Sequence, residues 1–191
     1  MFMVSSIESQ SKISLDEFLQ LPETKPASEY INSYIYQKSM PQGEHSILQT
    51  RLVTAINRVG EPQKLAYVLT ELRCIFGGSS IVPDIAIFEW DNIPLRPNKR
   101  IQNRFEIPPD WIIEILSPEQ SPNRVIQKIA FCLNHGTKLG WFIDPEDESV
   151  SIFQPHCIPE VKSGMDSLPV LNVLNDWQFS VTDLFSLLYL V

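Results

Sequence analysis

The chain has 191 residues, 43% hydrophobic and 20% charged, with a formal net charge of −8. That length carries a sizeable core, and the composition is that of an ordinary globular protein, so one domain spanning residues 1–191 is expected. The acidic balance argues against a broad non-specific grip on nucleic acid, but it leaves room for a local basic cleft.

The three cysteines, Cys74, Cys132 and Cys157, are far apart and form no CxxC pair. They do not fit a structural zinc site or a disulfide framework, and read as free thiols in a reducing cytosol. Met1 to Ser6 is apolar at first, but polar and acidic residues follow at once, so no secretory signal is expected. No apolar stretch approaches the ~20 residues needed to cross a bilayer. A soluble, cytoplasmic protein without a membrane partner is the resulting expectation. The terminal FSLLYLV reads as part of a helix docked on the core.

Ser14-Leu-Asp-Glu17 is a capping box, and Leu15, Phe18 and Leu19 give the helix it opens an apolar face, with a stop near Pro22. Glu29 to Lys38, rich in Tyr and Ile around Asn32-Ser33, predicts a strand or hairpin. Apolar residues recur at helical spacing from Glu44 to Val59, with Pro41 and Gly43 marking the start. Ala66 to Phe76 predicts a strand, Gly77 to Ser80 a turn and Ile81 to Phe88 a second strand. Pro94 to Pro109 is a polar loop with a basic cluster, Arg96, Lys99, Arg100 and Arg104. It is either solvated surface or a phosphate-contacting arm.

Asp110 to Leu116, DWIIEIL, is a nearly unbroken apolar run, as in strands covered on both faces. Arg124 to His135 predicts a helix stopped by Gly136. Leu139 to Ile143 and Val150 to Phe153 predict strands around a turn at Asp144 to Asp147. Asp183 to Leu190 predicts a closing helix capped by Thr182. The order suggests an α/β (α+β) fold, a mixed central β-sheet with helices on both faces.

Two carboxylates stand out. Side chains alternate along a strand, so Ile112, Glu114 and Leu116 share one face and Trp111, Ile113 and Ile115 the other. Glu114 therefore sits among apolar neighbours. Asp84 does so too, in VPDIAIF. A buried carboxylate needs a cation, a metal or strong donors. Two such acids on neighbouring strands suit a hard divalent ion, which takes oxygen ligands and can polarise a phosphodiester. The bland alternatives are that Asp84 caps a turn and that Glu114 pairs with Arg73 or Lys128. Lys128 on pattern alone reads as a solvated helix lysine, His45 as a polar residue at a helix start, and Trp111 and Trp141 as core anchors.

At these residues the sequence resembles the Uma-type family, a domain of unknown function described as putative restriction endonucleases, within the PD-(D/E)XK nuclease superfamily. The likeness runs through Glu29-Tyr-Ile-Asn32, His45 at the start of the long helix, VPDIAIF, PPDWIIEILSP, Lys128 and HGTKLGWFIDP. The resemblance implies a restriction-endonuclease-like core that hydrolyses DNA phosphodiesters with Mg²⁺ or Mn²⁺. Asp84 and Glu114 would hold the metal, with the Ile115 carbonyl a further ligand. The lysine expected two residues past the second acid is replaced by Leu116, and Lys128 from the following helix would stand in. Glu29 would add a third carboxylate through the metal or its water.

Arg124 stands where the family commonly has an aspartate, and Asn32-Ser33 replaces its usual Asp-Gly. These departures keep two alternatives open. One is a nuclease-like fold that no longer cuts and serves as a binding or assembly module; the other is a metal-assisted hydrolase of a different phosphoester. A homodimer fits the endonuclease reading, because cutting both strands of a duplex takes two sites.

Overall fold

The computed structural model of the chain describes residues 9–10, 13–118 and 120–190. The reading of Met1 to Ser6 lies outside them. After the two-residue strand β1 (Ser9–Gln10), helix α1 (Leu15–Phe18) carries the expected capping box. The Glu17 N–H donates to Ser14 Oγ at 3.3 Å, and the Ser14 N–H donates to Glu17 Oε2 at 2.7 Å. Strands β2 (Ser28–Ile31) and β3 (Tyr34–Gln37) form the hairpin, with Asn32 and Ser33 both left-handed at φ 50° and 66°. That is the backbone a tight two-residue hairpin turn requires. Helix α2 (Gly43–Gly60) follows.

The next stretch corrects the sequence reading. The two long strands expected at 66–76 and 81–88 are four short ones: β4 (Ala66–Thr70), β5 (Cys74–Phe76), β6 (Ser79–Ile81) and β7 (Ile85–Glu89). β5 and β6 pair across the Gly77-Gly78 turn in one sheet, while β4 and β7 pair in another. The fork lies at residues 82–84. Pro83 has no N–H to give a ladder, and the Val82 N–H donates to Glu29 Oε1 at 2.7 Å. The Asp84 carbonyl accepts from Gln49 Nε2 at 2.8 Å and from the Glu71 N–H at 3.3 Å. The chain is thus drawn off the ladder at Asp84.

Strand β8 (Trp111–Ile115), helix α3 (Pro122–Leu133) and strand β9 (Leu139–Asp144) form a crossover with β8 and β9 parallel. β10 (Ser149–Phe153) and β11 (Glu160–Ser163) continue antiparallel, β11 being a strand that the sequence pattern does not announce. Helix α4 (Val181–Ser186) is capped by Ser180 rather than Thr182. Among the described residues, one sheet has six strands in the order β11-β10-β9-β8-β7-β4, and the other has five in the order β1-β3-β2-β6-β5.

The six-stranded sheet is covered on both faces, as expected. Leu48, Leu52 and Ile56 of α2 and Leu184 and Phe185 of α4 pack on the face of Trp111, Ile113 and Ile115. Val125, Ile129 and Cys132 of α3 pack on the other, with Ala86, Phe88 and Ile112 and with Ile31 and Ile81 of the smaller sheet. Gly140 lets α3 settle onto β9: a Cβ there would lie 2.5 Å from Ile129 Cγ2. No helix among the described residues is long and apolar enough to cross a membrane.

Candidate active site

β7 and β8 run antiparallel with Ile85 opposite Ile113. Asp84 and Glu114 are the residues just past that last pair, and Asp84 stays beside β8 through the Ile115 N–H. Like charges on neighbouring strands repel, so this pair needs cations. Two lysines supply them. Lys38 Nζ lies 2.7 Å from Asp84 Oδ1 and 2.8 Å from Glu71 Oε2. Lys128 Nζ lies 2.8 Å from Glu114 Oε2 and 2.9 Å from Glu29 Oε1. Asp84 Oδ2 accepts from the Ile115 N–H at 2.8 Å and lies 3.1 Å from His45 Nε2.

The four residues singled out from the sequence, Asp84, Glu114, Lys128 and Glu29, are all buried in this one cluster. The bland alternatives give way in part. Lys128 is not a solvated lysine, since only 4% of it is exposed. Glu114 does pair with Lys128, whereas Arg73 turns away to Glu23, Ser80 and the Ser28 carbonyl. His45 is more than a helix-start residue, because its ring is buried against Asp84. Lys38, Gln49 and Glu71 went unseen in the sequence. A signal existed for two of them. Tyr34, Tyr36 and Lys38 continue one face of β3, and Gln49 follows His45 by one helical turn. None of the four basic residues of the 94–104 loop lines the cleft over this site, and Arg104 pairs with Glu106.

The electrostatics separate the two acids. Burial alone would raise Asp84, but the His45 hydrogen bond and the charges of Lys38, His45 and Lys128 hold it well below the usual carboxylate range. Burial pushes Glu114 up to about 8; Lys128 opposes this and the Asp84 charge adds to it. Lys128 is desolvated too, yet Glu114, Glu29 and Asp84 together raise it and keep it an ammonium. That one ammonium is shared, and Glu114 Oε1 is left buried with no hydrogen-bond partner.

This set suits a divalent cation in three ways. Its donors are hard oxygens, one of them an orphaned carboxylate oxygen, and four carboxylates (Asp84, Glu114, Glu29 and Glu71) face only two ammoniums. Among the described residues no group of three or more His, Cys, Asp or Glu is placed to hold a metal ion by itself. An ion here would rest on the two carboxylates and complete its shell with water and phosphate, the habit of Mg²⁺.

A cleft of about 840 Å³ opens over this cluster, between the β2–β3 hairpin and α3. Glu29, Lys38 and Lys128 form its inner wall. Asp84 and Glu114 lie behind them, 3% and 1% exposed.

A family model described as "Uma2: Putative restriction endonuclease" matches residues 15–182. Among solved structures, that of a putative nuclease belonging to DUF820 from Anabaena variabilis ATCC 29413 is 49% identical, with a TM-score of 0.91, and the match covers 93% of this chain and 99% of that one. No curated protein matches the chain.

Proposed function

Because the chain belongs to the Uma2 family of putative restriction endonucleases, we propose that it is an Mg²⁺- or Mn²⁺-dependent DNA endonuclease of the PD-(D/E)XK kind whose metal is held by Asp84 and Glu114. The observation that carries this reading is the pair itself: two buried carboxylates just past the end of the β7–β8 ladder, one with an orphaned oxygen, behind the cleft wall formed by Glu29, Lys38 and Lys128. When bound, a divalent ion supplies charge that polarises a phosphodiester and acidifies water.

The chain's own residues do the rest. His45, Lys38 and the Ile115 N–H fix the Asp84 carboxylate in one orientation and keep it ionised. Glu29 and Glu114 together hold the Lys128 ammonium, so the amine stays charged and fixed at the cleft wall. There it can donate to a phosphoryl oxygen as charge develops, a preorganised arrangement that needs no rearrangement during reaction. Burial raises Glu114 above the ordinary carboxylate range, and a bound ion would favour its ionised form.

The test is nicking of supercoiled plasmid in Mg²⁺ or Mn²⁺. Asp84→Ala and Glu114→Ala should each lower the rate by at least about a hundredfold, the scale of losing a preorganised charge. Cleavage unchanged by either substitution would sink the assignment.

A second reading has its own observation. Both acids are already paired with lysines and are almost fully covered. A nuclease-like fold that no longer cuts, and acts as a binding or assembly module, would look this way. Calorimetric titration with Mn²⁺ separates the two. Stoichiometric binding lost in Glu114→Gln counts against the module, and no binding by the wild type counts for it.

A further inference from the structure

We propose that the outer half of the cleft is a pocket for one unpaired nucleobase of the DNA strand engaged at the carboxylates. The ligand's identity rests on the nuclease reading; the shape and chemistry of the pocket do not.

The walls are unlike a phosphate track. Tyr34 and Tyr36 alternate onto the cleft side of β3, with ring centroids 6.1 Å apart and planes 30° from parallel. Across from them, Arg124 of α3 lays its guanidinium over the Tyr36 ring, 5.3 Å from its centroid. Stacked planes of this kind are the surfaces on which bases rest, because every base has a π-face. Amides of Gln127 and Asn134 line the same wall. An amide offers both donors and an acceptor, which is what a base edge takes up.

Charge points the same way. The inner lysines are committed to carboxylates, and the whole chain is at −8. Affinity drawn from neutralising many phosphates is therefore small here, and stacking must replace it. Size agrees as well. A cleft of about 840 Å³ lies within the roughly 300–1,000 Å³ of pockets that enclose one small ligand. A duplex hides its base faces, so only a single-stranded or extruded nucleotide can stack there.

Position ties the pocket to the chemistry. Arg124 precedes Lys128 by one turn of α3, about 6 Å of helix rise, so the two side chains lie within reach of neighbouring nucleotides of one strand. The base in the pocket thus belongs to a nucleotide next to the phosphate at Lys128.

The experiment is fluorescence anisotropy in EDTA, where no cutting intrudes. The probes are a labelled oligothymidine, an abasic strand with the same number of phosphates, and a fully paired duplex of equal length. The base-bearing strand should bind at least about tenfold tighter than either of the others. Tyr36→Ala should remove most of that preference, Tyr36→Phe should keep it, and Arg124→Lys should weaken it. Stacking of one base is worth about 1–3 kcal/mol, which is roughly five- to 150-fold. Gln127→Trp, a change on the exposed rim, should fill the cleft and abolish the preference even if Tyr36→Ala does not fold. Equal affinity for base-bearing and abasic strands overturns the proposal, and so does a preference that survives both Tyr36→Ala and Gln127→Trp. Plasmid cleavage that depends on Asp84 without any base preference would leave the nuclease reading standing and this one failed; base preference without cleavage would do the reverse.

Discussion

Glu114 is the residue on which the local energetics turn. In the unfolded chain it titrates near 4.5, and in the fold burial moves it to about 8. Between those values the folded state holds a proton that the unfolded state has released. The stability contributed by protonated Glu114 is therefore complete below about pH 4.5 and is lost as pH rises through about 8. Asp84 works the opposite way: its folded pKa is lowered, so its contribution is lost only on acidification below its ordinary 3.8. Glu114→Gln keeps the shape and removes the titration. In EDTA, the unfolding free energy of wild type relative to Glu114→Gln should fall steadily from about pH 5 to about pH 8.5 in urea melts, and a flat difference would show that Lys128 keeps Glu114 ionised throughout.

Asp84 and Glu114 were legible in the sequence because a charge inside an apolar strand is expensive wherever it occurs. Lys38 was not, since its partner arrives only when the hairpin folds back against residue 84. Lys128 stood between: its helix was plain, but which way it faced was set by the crossover from β8 to β9.

Among the elements, the β2–β3 hairpin carries a visible strain. Ser33 sits at φ 66°, a region that costs most L-residues ~1–2 kcal/mol. Glycine escapes that cost but gives up ~0.5–1 kcal/mol of chain entropy. Ser33→Gly should therefore stabilise the protein by up to ~1 kcal/mol, a rise of about 2–4 °C in Tm for a chain of this size. An unchanged or lower Tm by calorimetry would mean that the turn is held by its surroundings. The helices were readable from their periodicity and caps. The start of the closing helix was misplaced by two residues because Ser180 and Thr182 both suit a cap, and only the reciprocal bond from Asp183 selects Ser180. The split of 66–76 and 81–88 was only half legible: Glu71, Arg73 and Pro83 interrupt the runs, but residues so placed also occur inside edge strands. What draws the second run off its ladder is Glu29, more than fifty residues upstream, taking the Val82 N–H.

For the molecule as a whole, the six-stranded sheet divides two kinds of residue. Behind it, α2 and α4 close a core that meets the site through His45 and Gln49 of α2 and through the Ile115 N–H. Leu52, fully buried there, should cost about 2–5 kcal/mol when cut to alanine. Oligonucleotide affinity of the folded Leu52→Ala protein should nevertheless match wild type, and a change of more than about threefold would show that the rear core reaches the cleft.

The partition has a historical consequence. The rear core, with its demand for close packing, changes slowly under mutation. The hairpin and the outer turn of α3 are short, exposed at their rims and joined to the sheet by few contacts apart from Gly140 and the buried lysine. A lineage can exchange Arg124, at the cleft rim, with less disturbance of the packed core than Tyr36, which rests against it. Preference for a substrate is then free to diverge quickly among descendants that share one scaffold, as an edited face on an inherited frame.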